Sequence, residues 1–219
     1  MKNAPAHKPR KPQRRSQIKR ALILDTALRH FAGRGYHGAR VEDMASEMGI
    51  AKGSIFQHFK SKDGLFFAVY KKALTSLPRY LDAPADVKKR GFFPIMRYWI
   101  DWARGLKNDE WMLYRIQLVG AYGTDLKLRR EINRWLLAED PIGTLDLVRF
   151  GLERGELRQD VDEHLLASTV DWMVERFEEA MVSEELDPGI IRSQGARPER
   201  IGSLIEQFMT VLRSAIGRK

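Results

Sequence analysis

Residues 52–58 read Lys-Gly-Ser-Ile-Phe-Gln-His. Ile55 and Phe59 form an apolar pair four residues apart, which leaves Lys52, Gly53, Ser54, Gln57 and His58 on the opposite face. These are hydrogen-bond donors and acceptors plus a backbone position with no Cβ to hold it off a surface. Such a set suits the edges of stacked base pairs, where ammonium, hydroxyl and amide groups discriminate by donor–acceptor pattern. The same face on an ordinary surface helix would only meet water. Catalysis finds less support. His7, His30, His37, His58 and His164 are scattered, and there is no His-x-x-x-His pair, Gly-x-Ser-x-Gly or phosphate-binding glycine loop. Gly33-Arg34-Gly35 is too short to cradle a phosphate, and nothing focuses the acid pairs Glu153/Glu156 and Glu178/Glu179. The chain has no Cys, which excludes disulfides and thiolate chemistry. No catalytic residue, metal site or cofactor is expected.

The elements around that face follow from spacing. Val41, Met44, Ala45 and Met48 recur at i, i+3, i+4 and i+7, the stripe of a short amphipathic helix. Gly49 ends it, since a left-handed turn is least strained without a Cβ. A second short helix starts near Lys52. Two short helices joined by a tight Gly-containing turn predict a helix-turn-helix, its second helix suited to a major groove. Upstream, a helix is predicted from Ser16 to Arg34, burying Leu24, Ala27, Leu28 and Phe31 and ended by Gly33 and Gly35. Downstream, Ser61 can cap a helix from Lys62 that turns Leu65, Phe66, Val69 and Leu74 inward.

Residues 17–70 resemble the DNA-binding domain of the TetR-like (TetR/AcrR) family of bacterial transcriptional regulators. The resemblance rests on Ile23–Tyr36, Met44-Ala45, Gly49–Phe56 and His58–Asp63, about a quarter of the chain. Two departures stand out. Arg40 occupies the place where the family usually has a Thr or Ser that caps the second helix and touches phosphate. Phe56 stands where the recognition helix usually has a Tyr, so no hydroxyl can donate to phosphate there. The resemblance implies that Ser54, Gln57 and Lys52 read base edges. Arg40, Lys62, His58 and the backbone at Gly53 would hold phosphates, with Tyr36 as a further candidate.

Charge is concentrated at one end. The 219 residues carry a net charge of +9, and the first twenty hold eight Lys and Arg with no acid. The remaining 30 basic residues nearly balance 29 acidic ones. Pro5, Pro9 and Pro12 keep this arm extended, as a solvated tail or as a basic arm attracted to DNA phosphates. Otherwise 43% hydrophobic and 31% charged residues describe an ordinary globular chain. Without a signal peptide or an apolar run of membrane-spanning length, a cytoplasmic protein is expected.

The expected plan is a basic disordered arm (1–15), a helix-turn-helix domain (16–61), a connecting helix (62–80) and a second domain (81–219). Pro78, Pro84 and the polar run from Asp82 to Arg90 read as a linker. Helices are then predicted over Phe93–Lys107, Glu110–Tyr122, Asp125–Ala138 and Ile142–Arg154, giving an all-α fold. Asp162 can cap another helix running to about Ser183. After a loop with Pro188, Gly189, Gly195 and Pro198 comes a last one.

All five Trp lie in this second part. Trp99, Trp102, Trp111, Tyr114, Tyr122 and Trp172, with Arg115 and Gln117 as polar partners, suit either an aromatic-walled pocket or simple core packing. The family resemblance implies a pocket for a small effector, and a homodimer joined through the last two helices. The interface candidates are Leu166, Val170, Met173, Phe177, Ile201, Leu204, Ile205, Phe208 and Leu212. The function implied is a ligand-responsive regulator, a repressor released from a pseudo-palindromic operator by a largely apolar or aromatic effector. The alternative is a chromosome-organising protein of the same fold without a metabolite effector.

Overall fold

A computed structural model describes residues 11–105, 108–182 and 198–219 of the chain. Among them there is no β-strand, only an isolated bridge between Leu157 and Gly217, so the fold is all-α. The first ten residues of the expected basic arm and the loop around Pro188, Gly189 and Gly195 lie outside the described residues.

The helices group into two compact units, Met1–Leu77 with Asn108–Ala138, and Pro78–Lys107 with Glu139–Lys219. This differs from the boundary expected near residue 80, because a segment from the middle of the chain completes the amino-terminal unit.

That first unit contains α1 (Lys11–Gly38), α2 (Val41–Glu47), α3 (Lys52–Phe59), α4 (Lys62–Ser76), α7 (Asn108–Tyr122) and α8 (Leu126–Glu139). Helix α1 starts five residues before its expected start, so Lys11–Arg15 are helical rather than an extended arm. It continues through Gly33 and breaks its helical geometry at Gly35 (φ 67°, ψ 178°). Ile23, Leu24, Ala27 and Phe31 form its buried stripe, and Phe31 meets Phe66 of α4 edge-on at 5.0 Å. Helix α7 lies along α1 and α4 and contributes the fully buried Ile116. At Gly120 its backbone comes so close to the Tyr70 ring that a Cβ would collide with it. Trp135 of α8 meets both Phe67 and Tyr70 of α4 edge-on at 6.2 Å, with the Lys71 ammonium over its ring at 5.3 Å.

The second unit is built from a 3-10 turn η1 (Tyr80–Asp82), α5 (Ala85–Arg90), α6 (Phe92–Arg104), α9 (Thr144–Glu153), α10 (Glu163–Val182) and α11 (Pro198–Ile216). The expected linker is thus structured. Ala83 and Val87 are buried in this unit's core, which gives the polar run a reason to fold. Helix α6 supplies Phe92, Phe93, Ile95, Met96, Trp99 and Ile100 to that core, and α9, α10 and α11 close over them. Asp162 accepts from the backbone N–H groups of His164 and Leu165, capping α10 as its position in the sequence predicted.

Candidate nucleic-acid interface

Helices α2 and α3 take their mutual angle from four side chains and one turn. Val41, Met44 and Ala45 bury one face of α2, and Ile55 of α3 is 0% exposed between the helices. Gly49 adopts φ 64°, and Ile50 N–H donates to the Ala45 carbonyl at 3.0 Å to close the turn. The angle is therefore fixed by packing rather than by α3 itself, which is only eight residues long.

On the outer face of α3, Lys52, Gly53 and Gln57 are exposed, while Ser54, Phe56 and His58 are half-buried. A Cβ added at Gly53 would meet nothing within 4 Å. The glycine is therefore not required by this chain's own packing. Arg40 is exposed at the N-cap of α2 and its side chain makes no cap hydrogen bond. The guanidinium is left pointing at solvent at the place where a short hydroxyl would have bonded the helix end.

The start of α4 is more constrained than the sequence indicates. Ser61 accepts from Gly64 N–H at 3.0 Å, the expected cap. Lys60, just before it, takes φ 64° although it is not a glycine. Tyr36 is buried and its hydroxyl donates to Asp63, so it ties the end of α1 to the first turn of α4 instead of offering a donor to phosphate. Burial first, and then the Asp63 carboxylate, push the Tyr36 phenol well above its ordinary range. Lys62 lies over the Tyr36 ring at 4.7 Å and donates to the His37 carbonyl at 3.4 Å. Partial burial lowers its pKa. Its charge is thus held at the α1–α4 corner, beside the reading face.

Acidic side chains of α2 pair with bases around them. Glu47 accepts from Arg29 and lies 2.7 Å from His30 Nε2, and Asp43 pairs with Arg34 at 2.6 Å. Glu42 pairs with Lys52 across the turn, and Lys52 also sits 5.5 Å from the Phe56 ring centroid. At the far end of α3, the Arg20 guanidinium stacks over Phe59 at 5.0 Å, which brings the basic start of α1 alongside the recognition helix. Sequence reading missed Glu42, Asp63 and Arg20. None of the three shares a helical spacing with its partner.

The effector candidates are shared between the two units. Trp99, Trp102 and Trp172 belong to the second unit, whereas Trp111, Tyr114, Arg115, Gln117 and Tyr122 lie on α7 of the first. Trp99 and Trp102 meet edge-on at 5.4 Å, and Trp111 stacks on Tyr114 at 5.7 Å. Trp99 Nε1 donates to the Tyr80 carbonyl at 2.8 Å. Burial pushes the Tyr80 phenol up, reinforced by the nearby carboxylates of Glu178, Asp171, Glu175 and Asp140. Asp171 accepts from the Thr144 hydroxyl at 2.8 Å, and burial raises its carboxyl to about 6. By its own surface Asp171 is exposed in the single chain, so the raised carboxyl reflects the protein packed around it rather than full burial. Neither Tyr80 nor Asp171 was singled out in the sequence.

The interface candidates also divide. Leu166, Val170, Phe177, Ile205 and Leu212 are buried in the core of their own unit, so they are corrected from interface to core. The most apolar stripe of an amphipathic helix is claimed first by its own domain. Met173, Ile201, Leu204 and Phe208 are half-buried against that core, and Phe177 stacks on Phe208 at 4.1 Å. The outward faces carry Leu165 (52% exposed) and Trp172 (62%) on α10 and Val211 (57%) on α11.

Residues 23–69 match the family model described as bacterial regulatory proteins, tetR family. The chain is 28% identical over 172 residues to the HTH-type transcriptional repressor Rv1474c of Mycobacterium tuberculosis, covering 78% of this chain and 85% of that protein. It is 26% identical over 164 residues to the HTH-type transcriptional repressor AcnR of Corynebacterium diphtheriae, covering 73% and 79%. The fold is also similar to the crystal structure of the transcriptional regulator FadR from Bacillus subtilis in complex with stearoyl-CoA. There the TM-score is 0.62 at 21% identity, over 90% of this chain and 98% of that one.

Proposed function

From the match of residues 23–69 to the tetR family of bacterial regulatory proteins, we propose that the chain is a homodimeric repressor of that family, released from its operator by a small effector. The observation that carries the reading is the α2–α3 pair. Ile55 is sealed between the helices, while Lys52, Gly53 and Gln57 stand exposed on a short, rigidly held helix. In this reading α3 enters a major groove, with Ser54, Gln57 and Lys52 at base edges. Arg40, His58, Lys62 and the Gly53 backbone lie against phosphates. Phe56 contributes apolar contact in place of a hydroxyl. Tyr36 acts indirectly, by fixing Asp63 and carrying Lys62 over its ring.

Two copies related by a two-fold axis would present their readers about one helical turn apart, roughly 34 Å, on a pseudo-palindrome. Leu165, Trp172 and Val211, with the half-buried Met173, Ile201, Leu204 and Phe208, supply an outward apolar surface for that pairing. The effector is small and largely apolar or aromatic. It is taken up among the second unit's aromatic side chains, including Trp99 and Trp102, with Tyr80 and Asp171 as polar partners. Release of DNA requires only that it bind the DNA-incompetent arrangement better than the competent one. The action is binding, carried out in the cytoplasm and without catalysis or a resident cofactor.

Selection of bound duplexes from a random library at near-physiological salt tests this reading. A two-fold symmetric motif is expected. Salt-sensitive enrichment without a motif would favour the chromosome-organising alternative, and no retained DNA would overturn the regulator.

A further inference from the structure

Glu42 stands out because it places a carboxylate on a surface otherwise suited to a polyanion. It is in the first turn of α2, where a negative charge suits the helix dipole. Asp43 beside it serves the same end and pairs back to Arg34 of α1. Glu42 instead reaches across the turn to the first residue of the recognition helix, Lys52, and both side chains remain about half exposed. Its pKa is lowered, first by the hydrogen bond with Lys52. In a helix-turn-helix the first helix crosses the DNA backbone, so a carboxylate there opposes phosphate.

We infer that Glu42 is a specificity-determining residue: it holds Lys52 as an internal ion pair that an operator base edge displaces and a nonspecific phosphate does not. The inference rests on the DNA-binding reading above. An exposed pair of this kind adds little stability, so it opens readily when a better partner is offered. A guanine edge presents two acceptors in fixed positions to the Lys52 ammonium. A phosphate on unmatched DNA offers only a mobile, salt-screened attraction, and there Lys52 stays with Glu42. The protein thus neutralises one fewer phosphate on nonspecific DNA than its cation count implies. Binding to unmatched duplex is weakened selectively, which raises the ratio that matters in a genome full of competing sites. Lys52 lies against the Phe56 ring, so the ammonium is poised between the two partners.

The test is a salt titration of binding to the selected operator and to a scrambled duplex of equal length. It uses the full chain, E42Q, K52Q and the double variant. On the scrambled duplex E42Q should bind several-fold tighter, with its log–log salt slope steeper by about 0.9, one additional phosphate neutralised. On the operator the slope should be unchanged, so discrimination falls. In the K52Q background, E42Q should no longer steepen the slope. Equal tightening on both duplexes, persistence of the effect without Lys52, or no change at all would each overturn the assignment. A wild-type chain with no sequence preference would instead overturn the regulator reading on which it rests, a separate and recognisable result.

Discussion

Gly53 is the residue at which folding and the proposed DNA contact make opposite demands. Among the described residues nothing beyond its own neighbours lies within 4 Å of a Cβ placed there, so Ala is sterically free and is the better helix former. Gly53→Ala should stabilise the free protein by about 0.5–1 kcal/mol in a thermal melt. It should at the same time weaken operator binding, because the added methyl holds the helix off the DNA. Undiminished binding would remove the Gly53 backbone from the interface. Asp171 gives a prediction in pH. Its carboxyl titrates near 6, above the ordinary 3.8, because burial disfavours the charge. The folded chain therefore binds more protons than the unfolded one between those values. The stability this contributes is present below about 3.8 and lost as pH rises through 6. Asp171→Asn should melt higher than wild type at pH 8, with the gain vanishing by pH 4. A gain independent of pH would argue against a buried charge. Residues whose role is local were legible in the sequence: Gly49, Ile55 and Ser61 each follow from spacing and backbone need. Pairings across helices were not. Glu42 with Lys52 and Tyr36 with Asp63 are ten and twenty-seven residues apart, and only the folded angle brings them together.

Among elements, α4 is a junction of the first unit, because α1, α3, α7 and α8 all bear on it. Its join to α7 depends on the absence of a side chain at Gly120, where the Tyr70 ring fills the space. Gly120→Ala should destabilise the protein by about 1–3 kcal/mol through overpacking. Tyr70→Leu should recover part of the loss in a double-mutant cycle, since the two sites share one contact. Additive losses would show that the clash is relieved elsewhere. Most helices were readable from 3.6-residue periodicity, with ends within a few residues. Two things were not. The run Asp82–Arg90 looks like a linker in composition, yet Ala83 and Val87 find a core and order it as η1 and α5. Helices α7 and α8 carry no signal of which unit claims them, because an apolar stripe names a buried face but not its partner.

For the whole molecule, the proposed dimer would rest on apolar surface left outside the core. Trp172 on α10 is the largest such group and lies 62% exposed in the single chain. Trp172→Glu should shift the protein from dimer toward monomer in sedimentation while leaving the helical content intact. DNA affinity should fall with it, as two half-sites are no longer held by one particle. A variant that stays dimeric would place the interface elsewhere. The way the chain is threaded has a practical consequence for transplanting its reader. The DNA-binding unit is discontinuous, with Ile116, Gly120 and Trp135 supplied from beyond residue 107. Cutting after Leu77 would strip the hydrophobic cover from Phe67 and Tyr70, leaving a fragment prone to aggregate. A chimera that gives this reader to another sensor therefore needs three splice points, at 77/78, 107/108 and 138/139, rather than one.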